Sequence, residues 1–162
     1  PLNLSFYRIQ ERCRRMALVE KTVLIEQSAE RMFELVDYCE DYPVFLPWCS
    51  KTELQFRDAL KKVARLHITS HSVKSSFTTE NIKEFPKLMK MRLVSGPFRR
   101  LEGSWHFKPL AENACKIEFK LHYEFSSKLF EKVIGSVFNH IANSFVDAFV
   151  HRATQVYGAD HG

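Results

Sequence analysis

Residues 116–150 read KIEFKLHYEFSSKLFEKVIGSVFNHIANSFVDAFV, and they combine two hydrophobic periodicities. Apolar residues first alternate with polar or charged ones, which is typical of a β-strand with one buried face. They then recur three or four residues apart, which predicts a long amphipathic helix. A half-buried strand leading directly into such a helix predicts an antiparallel sheet packed by one face against the helix. The apolar set consists of Ile117, Phe119, Leu121, Tyr123 and Phe125 in the strand and Phe130, Ile134, Val137, Phe138, Ile141, Phe145 and Phe149 in the helix.

The segments before residue 116 predict the rest of this sheet and two shorter helical pieces. Ser28 is a suitable N-cap for a helix that ends near Tyr38, and Gly158 is a suitable stop for the long helix. Two prolines limit residues 42–49 to a short helix or turn that covers the core. Strands are expected at residues 19–26, 63–69, 75–80, 89–93 and 101–107. We therefore predict a single domain at residues 16–158.

The composition suits a protein with a large apolar interior. The chain has 162 residues, 45% of them hydrophobic, and contains 14 Phe, 5 Tyr and 2 Trp. Such a chain is long enough for one domain with a sizeable core. The aromatic residues have two interpretations: they fill a bulky core or, if the sheet curves around the helix, they line an apolar pocket. The uncharged stretch between Lys132 and Asp147 is shorter than the roughly 20 apolar residues that cross a bilayer, so we expect a soluble, cytoplasmic protein.

The net charge of +5 is concentrated at the start of the chain. Residues 1–15 hold four arginines and one glutamate, and the rest of the chain carries only +2. An Arg-rich, acid-poor segment is typical of a transit peptide, but Met16 also suits a natural start. We therefore treat residues 1–15 as an N-terminal extension outside the fold. The remaining charge is a mild bias toward anionic partners and predicts no binding to DNA.

The sequence offers little for catalysis or metal binding. The four cysteines form no CxxC pair, and free thiols in a reducing compartment are the simplest explanation for them. His67 and His71, if both lie on one strand, would be about 13 Å apart, too far to share a metal. A phosphate-binding loop and a GxGxxG turn are both missing from the sequence. We therefore predict neither an enzyme, nor a metal site, nor a cofactor.

Binding of an apolar molecule fits the sequence better. Phe and Met side chains supply a flexible apolar lining, and each buried methylene of a lipid contributes about 0.8 kcal/mol. The alternative is that these side chains only fill the core. The candidate lining residues are Met89, Met91, Trp105, Phe107, Phe119, Tyr123, Phe138, Ile141 and Phe145.

Five basic residues lie close to the Gly96-Pro97 turn in the sequence: Lys87, Lys90, Arg92, Arg99 and Arg100. As an ordinary solvated surface they need no partner. As a continuous patch they would contact RNA phosphates or anionic lipid headgroups.

Several blocks of sequence follow one another in a specific order between residues 16 and 157. The first blocks are Tyr42-Pro43 with Phe45-Leu46-Pro47 and Cys49, then Lys74-Ser75 with Phe77-Thr78-Thr79. Next come Gly96-Pro97-Phe98, Leu101, Gly103, Trp105, Phe107 and Pro109-Leu110. The last are Cys115, Ile117-Glu118-Phe119, Phe125, Val137-Phe138, Ala148-Phe149, Arg152-Ala153 and Val156-Tyr157. In this set the chain resembles the coenzyme Q-binding and ribosome-association toxin RatA family, part of the START-like, polyketide cyclase-related helix-grip superfamily.

The resemblance implies an α+β helix-grip fold, in which a curved antiparallel sheet wraps around the long C-terminal helix with an apolar tunnel between them. It implies ubiquinone or a related polyisoprenoid lipid as the ligand of a carrier or chaperone that supports respiratory electron transport, with peripheral contact at the inner membrane. The ring of the ligand would lie near residues 42–48 and its tail along residues 138–145. Tyr42, Phe45, Trp48 and Phe77 thus join the predicted ligand contacts.

Two other functions stay open at this point, because one fold hosts many activities. For some bacterial members the resemblance implies binding to the large ribosomal subunit and a block of subunit association. A cyclase-type enzyme is the further alternative, and it requires a polar group deep in the tunnel.

Overall fold

One antiparallel sheet and a long helix make up most of the computed structural model, which describes residues 16–158. The predictions for residues 1–15 lie outside the described residues. The strands are β1 (Ala17–Ile25), β2 (Cys49–Arg57), β3 (Lys61–Ser70), β4 (Val73–Glu84), β5 (Leu88–Ser95), β6 (Phe98–Ala111) and β7 (Ala114–Phe125). The helices are α1 (Ala29–Asp37), α2 (Tyr42–Phe45) and α3 (Lys128–Tyr157). The strand order is β1-β7-β6-β5-β4-β3-β2, and the sheet curves around α3, which is the predicted helix-grip arrangement.

The predicted strand and helix at residues 116–150 correspond to β7 and α3. The five apolar residues of the strand are all buried, and so are Ile134, Phe138, Ile141 and Phe149 of the helix. Ser127 caps α3 by accepting a hydrogen bond from the backbone N–H of Phe130 (3.1 Å), and Gly158 ends it with a φ of +70°. Phe130 itself is 44% exposed, so its assignment to the buried stripe is wrong. It lies in the first turn of α3, before the helix reaches the sheet.

The segment between β1 and β2 folds as its cap and proline signals predict. Ser28 accepts a hydrogen bond from the backbone N–H of Arg31 (3.2 Å) at the start of α1. A short 3₁₀ turn at Cys39–Asp41 leads into the single turn of α2. The hydroxyl of Tyr42 donates to the carbonyl oxygen of Val36, which fixes α2 against α1. This segment lies beside β2 and positions Cys39 and Tyr42 at the interior.

The sequence pattern missed β2 and misplaced His71. β2 is an edge strand with two register shifts, and most of its side chains are exposed, so it shows no alternating pattern. His71 lies in the turn between β3 and β4 with a φ of +53°, so the expectation that both histidines share a strand is wrong.

By length and composition alone, α3 would qualify as a membrane-crossing helix, although its central uncharged stretch is short. In the structure, however, α3 is the helix that the sheet grips, with eight of its residues buried. A buried core helix passes the same test of length and apolarity, so this finding does not by itself indicate a membrane span.

Candidate functional site: an apolar cavity with one polar end

A cavity of about 70 Å³ lies between the inner face of the sheet and α3. Its apolar lining is Val36, Tyr42, Trp48, Ala64, Leu66, Phe77, Met91, Leu101, Trp105, Phe119, Leu121, Phe138, Ile141, Ala142 and Phe145, with Cys39 beside them. A pocket that encloses a drug-sized ligand holds roughly 300–1,000 Å³. The cavity is therefore small for such a ligand, and most of its wall belongs to the aromatic core.

Nine of the thirteen predicted ligand contacts line this cavity: Tyr42, Trp48, Phe77, Met91, Trp105, Phe119, Phe138, Ile141 and Phe145. Their contact with a ligand stays a prediction. Because ring centroids in this group are 4.7 Å (Trp105–Phe119) to 6.1 Å (Trp48–Phe145) apart, the same residues also pack against one another as core.

The other four predicted contacts lie away from the cavity. Phe107 packs between Trp105 and Phe33, and Phe45 packs on Phe149. Met89 is fully buried at a neighbouring position of the sheet. Tyr123 packs on Phe138 and donates its hydroxyl hydrogen bond to Asn139 of α3. Alternation along a strand places a side chain on the inner face, but it does not say which part of that face borders a cavity.

Three polar residues of the lining were missed by the sequence analysis: Lys62, Thr79 and Asn81. Lys62 and Asn81 are direct partners across β3 and β4, and Ala64 pairs with Thr79 in the same register. Lys62 is 3% exposed and Asn81 is 8% exposed. The alternation in β3 could have predicted that Lys62 faces inward. Lys62 lies two residues before Ala64, on the same side of the strand as Ala64, Leu66 and Ile68.

The ammonium group of Lys62 is held at the end of α1. Its Nζ donates a hydrogen bond to the carbonyl oxygen of Asp37 (2.8 Å) and lies 3.7 Å from Asp37 Oδ1. The C-terminal carbonyls of a helix favour a cation, which supports this placement. Nζ also lies 5.9 Å from the centroid of the Tyr42 ring. Burial lowers the pKa of the Lys62 ammonium below its ordinary value, against the opposing effect of Cys39 and Asp37.

Two further cations complete what we call the Asp37 cluster (Asp37, Glu40, Arg57, Lys62 and Lys83). The Nζ of Lys83, also buried, lies 3.2 Å from Asp37 Oδ2. Arg57 donates to the carbonyl oxygen of Asp37 (2.9 Å) and to both carboxylate oxygens of Glu40. These pairs hold α1, β2, β3 and β4 together behind the cavity, because each cation comes from a different strand.

Cys39 and Tyr42 are neutral at physiological pH. Burial raises the pKa of the Cys39 thiol, and burial raises the pKa of the Tyr42 hydroxyl well above 10. A protonated thiol is a poor nucleophile, so Cys39 acts as an apolar part of the lining.

Trp48 separates the cavity from a groove on the surface. It borders the cavity on one side, and on the other side it borders a groove formed by residues 69–71 at the β3–β4 turn and by His140, Ser144 and Asp147 of α3. Trp48 is half-buried, as is its contact Phe145. These two rings are therefore the part of the lining through which an entrance would open.

The five basic residues are spread along β5 and the start of β6. All five are exposed, but Lys87 and the Gly96-Pro97 turn lie at opposite ends of β5, which at about 3.3 Å per residue separates them by roughly 26 Å. Arg92 pairs with Glu80 (2.7 Å), Arg99 with Glu124 (3.4 Å) and Arg100 with Glu102. Three of the five residues thus have acidic neighbours, and the function of the five as one patch stays a prediction.

Within residues 16–158, no three His, Cys, Asp or Glu side chains lie close enough to hold a metal ion. His67, for example, contacts Glu53 (Nε2–Oε2, 2.8 Å) on the outer face of the sheet.

The fold and the cavity define a START-like helix-grip domain with a largely apolar site between sheet and helix. Comparison with known proteins agrees: the family model for "polyketide cyclase / dehydrase and lipid transport" matches residues 25–150. The ribosome association toxin RatA of Vibrio cholerae is 41% identical over 143 residues, which are 88% of this chain and 99% of that protein. The chain therefore belongs to the polyketide cyclase/dehydrase and lipid transport family, among relatives that carry the RatA name.

Two other similarities are more distant. The mitochondrial coenzyme Q-binding protein COQ10 homolog B of Xenopus laevis is 27% identical over 137 residues, which are 81% of this chain and 55% of that protein. The Zhui aromatase/cyclase from Streptomyces sp. R1128 superposes with a TM-score of 0.73 at 17% identity, covering 91% of this chain and 99% of that structure. At that identity the structural likeness shows the fold alone.

Proposed function

We propose that this protein binds an isoprenoid lipid such as ubiquinone between the sheet and α3, as a carrier or chaperone that supports respiratory electron transport. The observation that supports this most is the cavity itself, whose lining is apolar except at one end. The family description includes lipid transport, and one relative is named as a coenzyme Q-binding protein. A cytoplasmic location with peripheral contact at the inner membrane stays a prediction.

The volume of the cavity adds a physical requirement to this proposal. A space of about 70 Å³ is smaller than the cavity of roughly 150 Å³ that accommodates a benzene ring, so a quinone ring requires the lining to move. Trp48 and Phe145 are half-buried, and Trp48 also borders the surface groove, so these two rings can move outward more easily than Trp105 or Phe119. We expect binding to displace these two rings.

The experiment compares two substitutions on the same helix. Phe145→Asp places a carboxylate in the cavity wall, whereas Phe130→Asp places one on the exposed first turn of α3. The protein is produced in a ubiquinone-containing bacterium and examined by native mass spectrometry, followed by organic extraction. We expect wild type and Phe130→Asp to retain ubiquinone and Phe145→Asp to lose at least about nine-tenths of it, because a charge in the wall opposes an apolar ligand.

Two results would contradict the proposal. One is wild-type protein that carries no isoprenoid lipid although the host contains it. The other is a Phe145→Asp variant that retains ubiquinone at the wild-type level while its circular dichroism and unfolding midpoint show that it is folded.

Ribosome association is a second candidate, supported by RatA-named relatives that are 36–41% identical to this chain. The corresponding surface is the exposed region of Arg99 and Arg100 on β6. We expect the protein to co-sediment with the large ribosomal subunit, less so at higher salt, and to lose this binding when both arginines are changed to glutamate. Binding that is unaffected by higher salt and by the two substitutions would exclude this region as the contact with the ribosome.

The assignment as a non-enzymatic protein is part of the proposal. A wholly apolar lining would have argued against a cyclase-type activity, but the lining includes Lys62 and Asn81. Any such activity would therefore depend on Lys62, since Cys39 is held as a thiol.

A further inference from the structure

The polar end of the cavity has an unfilled hydrogen-bonding requirement. Asn81 uses its amide nitrogen to contact Met89 Sδ (3.3 Å), and its Oδ1 is buried without any hydrogen-bond donor. A buried amide oxygen without a donor loses its hydrogen bonds to water without replacement, so such atoms are rare in folded proteins. Because Asn81 borders the cavity, a molecule in the cavity can supply the missing donor.

Lys62 places a hydrogen-bond donor next to this unpaired acceptor. An ammonium group has three donors, and Lys62 directs one hydrogen bond to the carbonyl oxygen of Asp37. It borders the cavity beside Asn81, its direct partner across β3 and β4. Side chains at directly opposed positions begin about 4.5–5.5 Å apart, so both can contact one ligand atom.

We propose that Lys62 and Asn81 together bind a hydroxyl group on the ring of the ligand, so that the cavity selects a phenolic quinol over the corresponding quinone. This inference rests on the proposed function. A phenolic oxygen can accept a hydrogen bond from the Lys62 ammonium while its own O–H donates to Asn81 Oδ1. A quinone carbonyl only accepts, so it satisfies Lys62 and leaves Asn81 Oδ1 without a donor. The ring therefore lies at the inner, polar end beside Tyr42, and the isoprenoid tail extends toward Trp48 and Phe145. This placement differs from the one expected from the sequence, which put Trp48 next to the ring.

The probe is a ubiquinone with a tail of two isoprene units, in its oxidised and in its chemically reduced form. Isothermal titration calorimetry under anaerobic conditions gives the ratio of the two dissociation constants. We expect wild-type protein to bind the quinol at least about tenfold more tightly than the quinone, since only the quinol pairs the buried amide oxygen. The two forms have nearly equal size and the same tail, so the ratio isolates the hydroxyl hydrogens.

Three variants assign the selectivity to residues. Asn81→Leu removes the orphaned oxygen and should bring the ratio close to one. Lys62→Met removes a donor that both forms use, so it should weaken the binding of both forms while the quinol stays preferred. Lys83→Met is the matched control, because it also removes a buried lysine from Asp37 but leaves the cavity lining intact. It should keep both the wild-type ratio and the wild-type affinities, and if Lys62→Met does not fold, Asn81→Leu alone decides.

The failures of the inference and of the proposed function are distinguishable. Equal binding of both forms by wild type, tighter binding of the quinone, or an unchanged ratio in folded Asn81→Leu would overturn the selectivity and leave lipid binding intact. No binding of either form, together with wild-type protein that is purified empty, would overturn the proposed function itself.

Discussion

The inner face of the sheet has two halves that differ in side-chain size and polarity. Over β6 and β7 it presents large apolar residues, among them Trp105, Phe107 and Phe119, each about 1% exposed. Over β3 and β4 it presents smaller or polar residues, among them Ala64 and Thr79, followed by Lys62, Asn81 and Lys83. We call these the aromatic half and the polar half.

The difference between the halves explains where the cavity lies. Opposite the aromatic half, Phe145 and Phe149 of α3 contact Trp105 with ring centroids 5.8 and 5.4 Å apart, so this half forms the packed wall of the cavity. Next to the polar half, Ala64 of β3 and Ala142 of α3 are both too short to fill the gap between sheet and helix. The aromatic half therefore contributes mainly to stability, and the polar half leaves space in which a ligand can bind.

Removing a large ring from the aromatic half should have the largest effect. We expect Phe107→Ala to lower the free energy of unfolding by about 3–5 kcal/mol, because Phe107 is fully buried between Phe33 and Trp105. Urea unfolding followed by circular dichroism measures this value. The matched control is Leu110→Ala at the exposed end of β6, which should change it by less than about 0.5 kcal/mol. Similar values for the two variants would show that the aromatic half is loosely packed.

A methyl group at Gly103 should have the next largest effect. A Cβ at this position would lie 2.5 Å from the carbonyl oxygen of Lys120, so β6 and β7 would have to separate. We expect Gly103→Ala to lower the free energy of unfolding by about 1–3 kcal/mol. Gly135→Ala on α3 is the control, because its Cβ would find neighbours only at 3.7 and 3.8 Å. It should raise the same quantity by about 0.5–1 kcal/mol through helix propensity.

Two alanines of α3 test the space beside the polar half. Both are buried, but Ala142 borders the cavity, whereas Ala153 is not among the lining residues. We expect Ala142→Leu to change the free energy of unfolding by less than about 1 kcal/mol, because the new side chain enters existing space. Ala153→Leu should lower it by about 1–3 kcal/mol through overpacking. Equal costs in urea unfolding would mean that the cavity is too small to accept a side chain.

The smallest effect concerns the protonation of Lys62. Its pKa is lower in the folded protein than its ordinary value of 10.5, so at pH values between the two the unfolded chain binds more protons. Stability should therefore rise with pH across that window and level off above 10.5. Wild type should therefore gain stability relative to Lys62→Met as the pH rises from neutral to 10.5, because only wild type has the Lys62 ammonium to deprotonate. Lys90→Met, at an exposed position, should keep the wild-type slope; a constant difference for Lys62→Met would contradict the prediction.

Sequence reasoning worked best where local signals and burial agree. The alternation in β7, the helical spacing in α3 and the caps at Ser28 and Gly158 all predicted elements that the structure contains. It failed for β2, because an edge strand with exposed side chains has no face that must be apolar. It also failed for Phe130, because a helical period does not indicate where a helix first meets its sheet.

The sequence by itself determined that an antiparallel sheet packs by one face against the long helix, and which face is apolar, because these depend on periodicity along the chain. The helix-grip class followed from the family resemblance, and the single domain at residues 16–158 stays a prediction. Only the tertiary structure decided which nine aromatic and aliphatic candidates border one cavity, and it reduced the expected tunnel to about 70 Å³. Only the tertiary structure, likewise, brought Lys62 of β3 next to Asn81 of β4 and set Asp37 behind them. The physical reason is that cavities and buried ion pairs arise from elements distant in sequence, and strand register fixes which of their side chains meet.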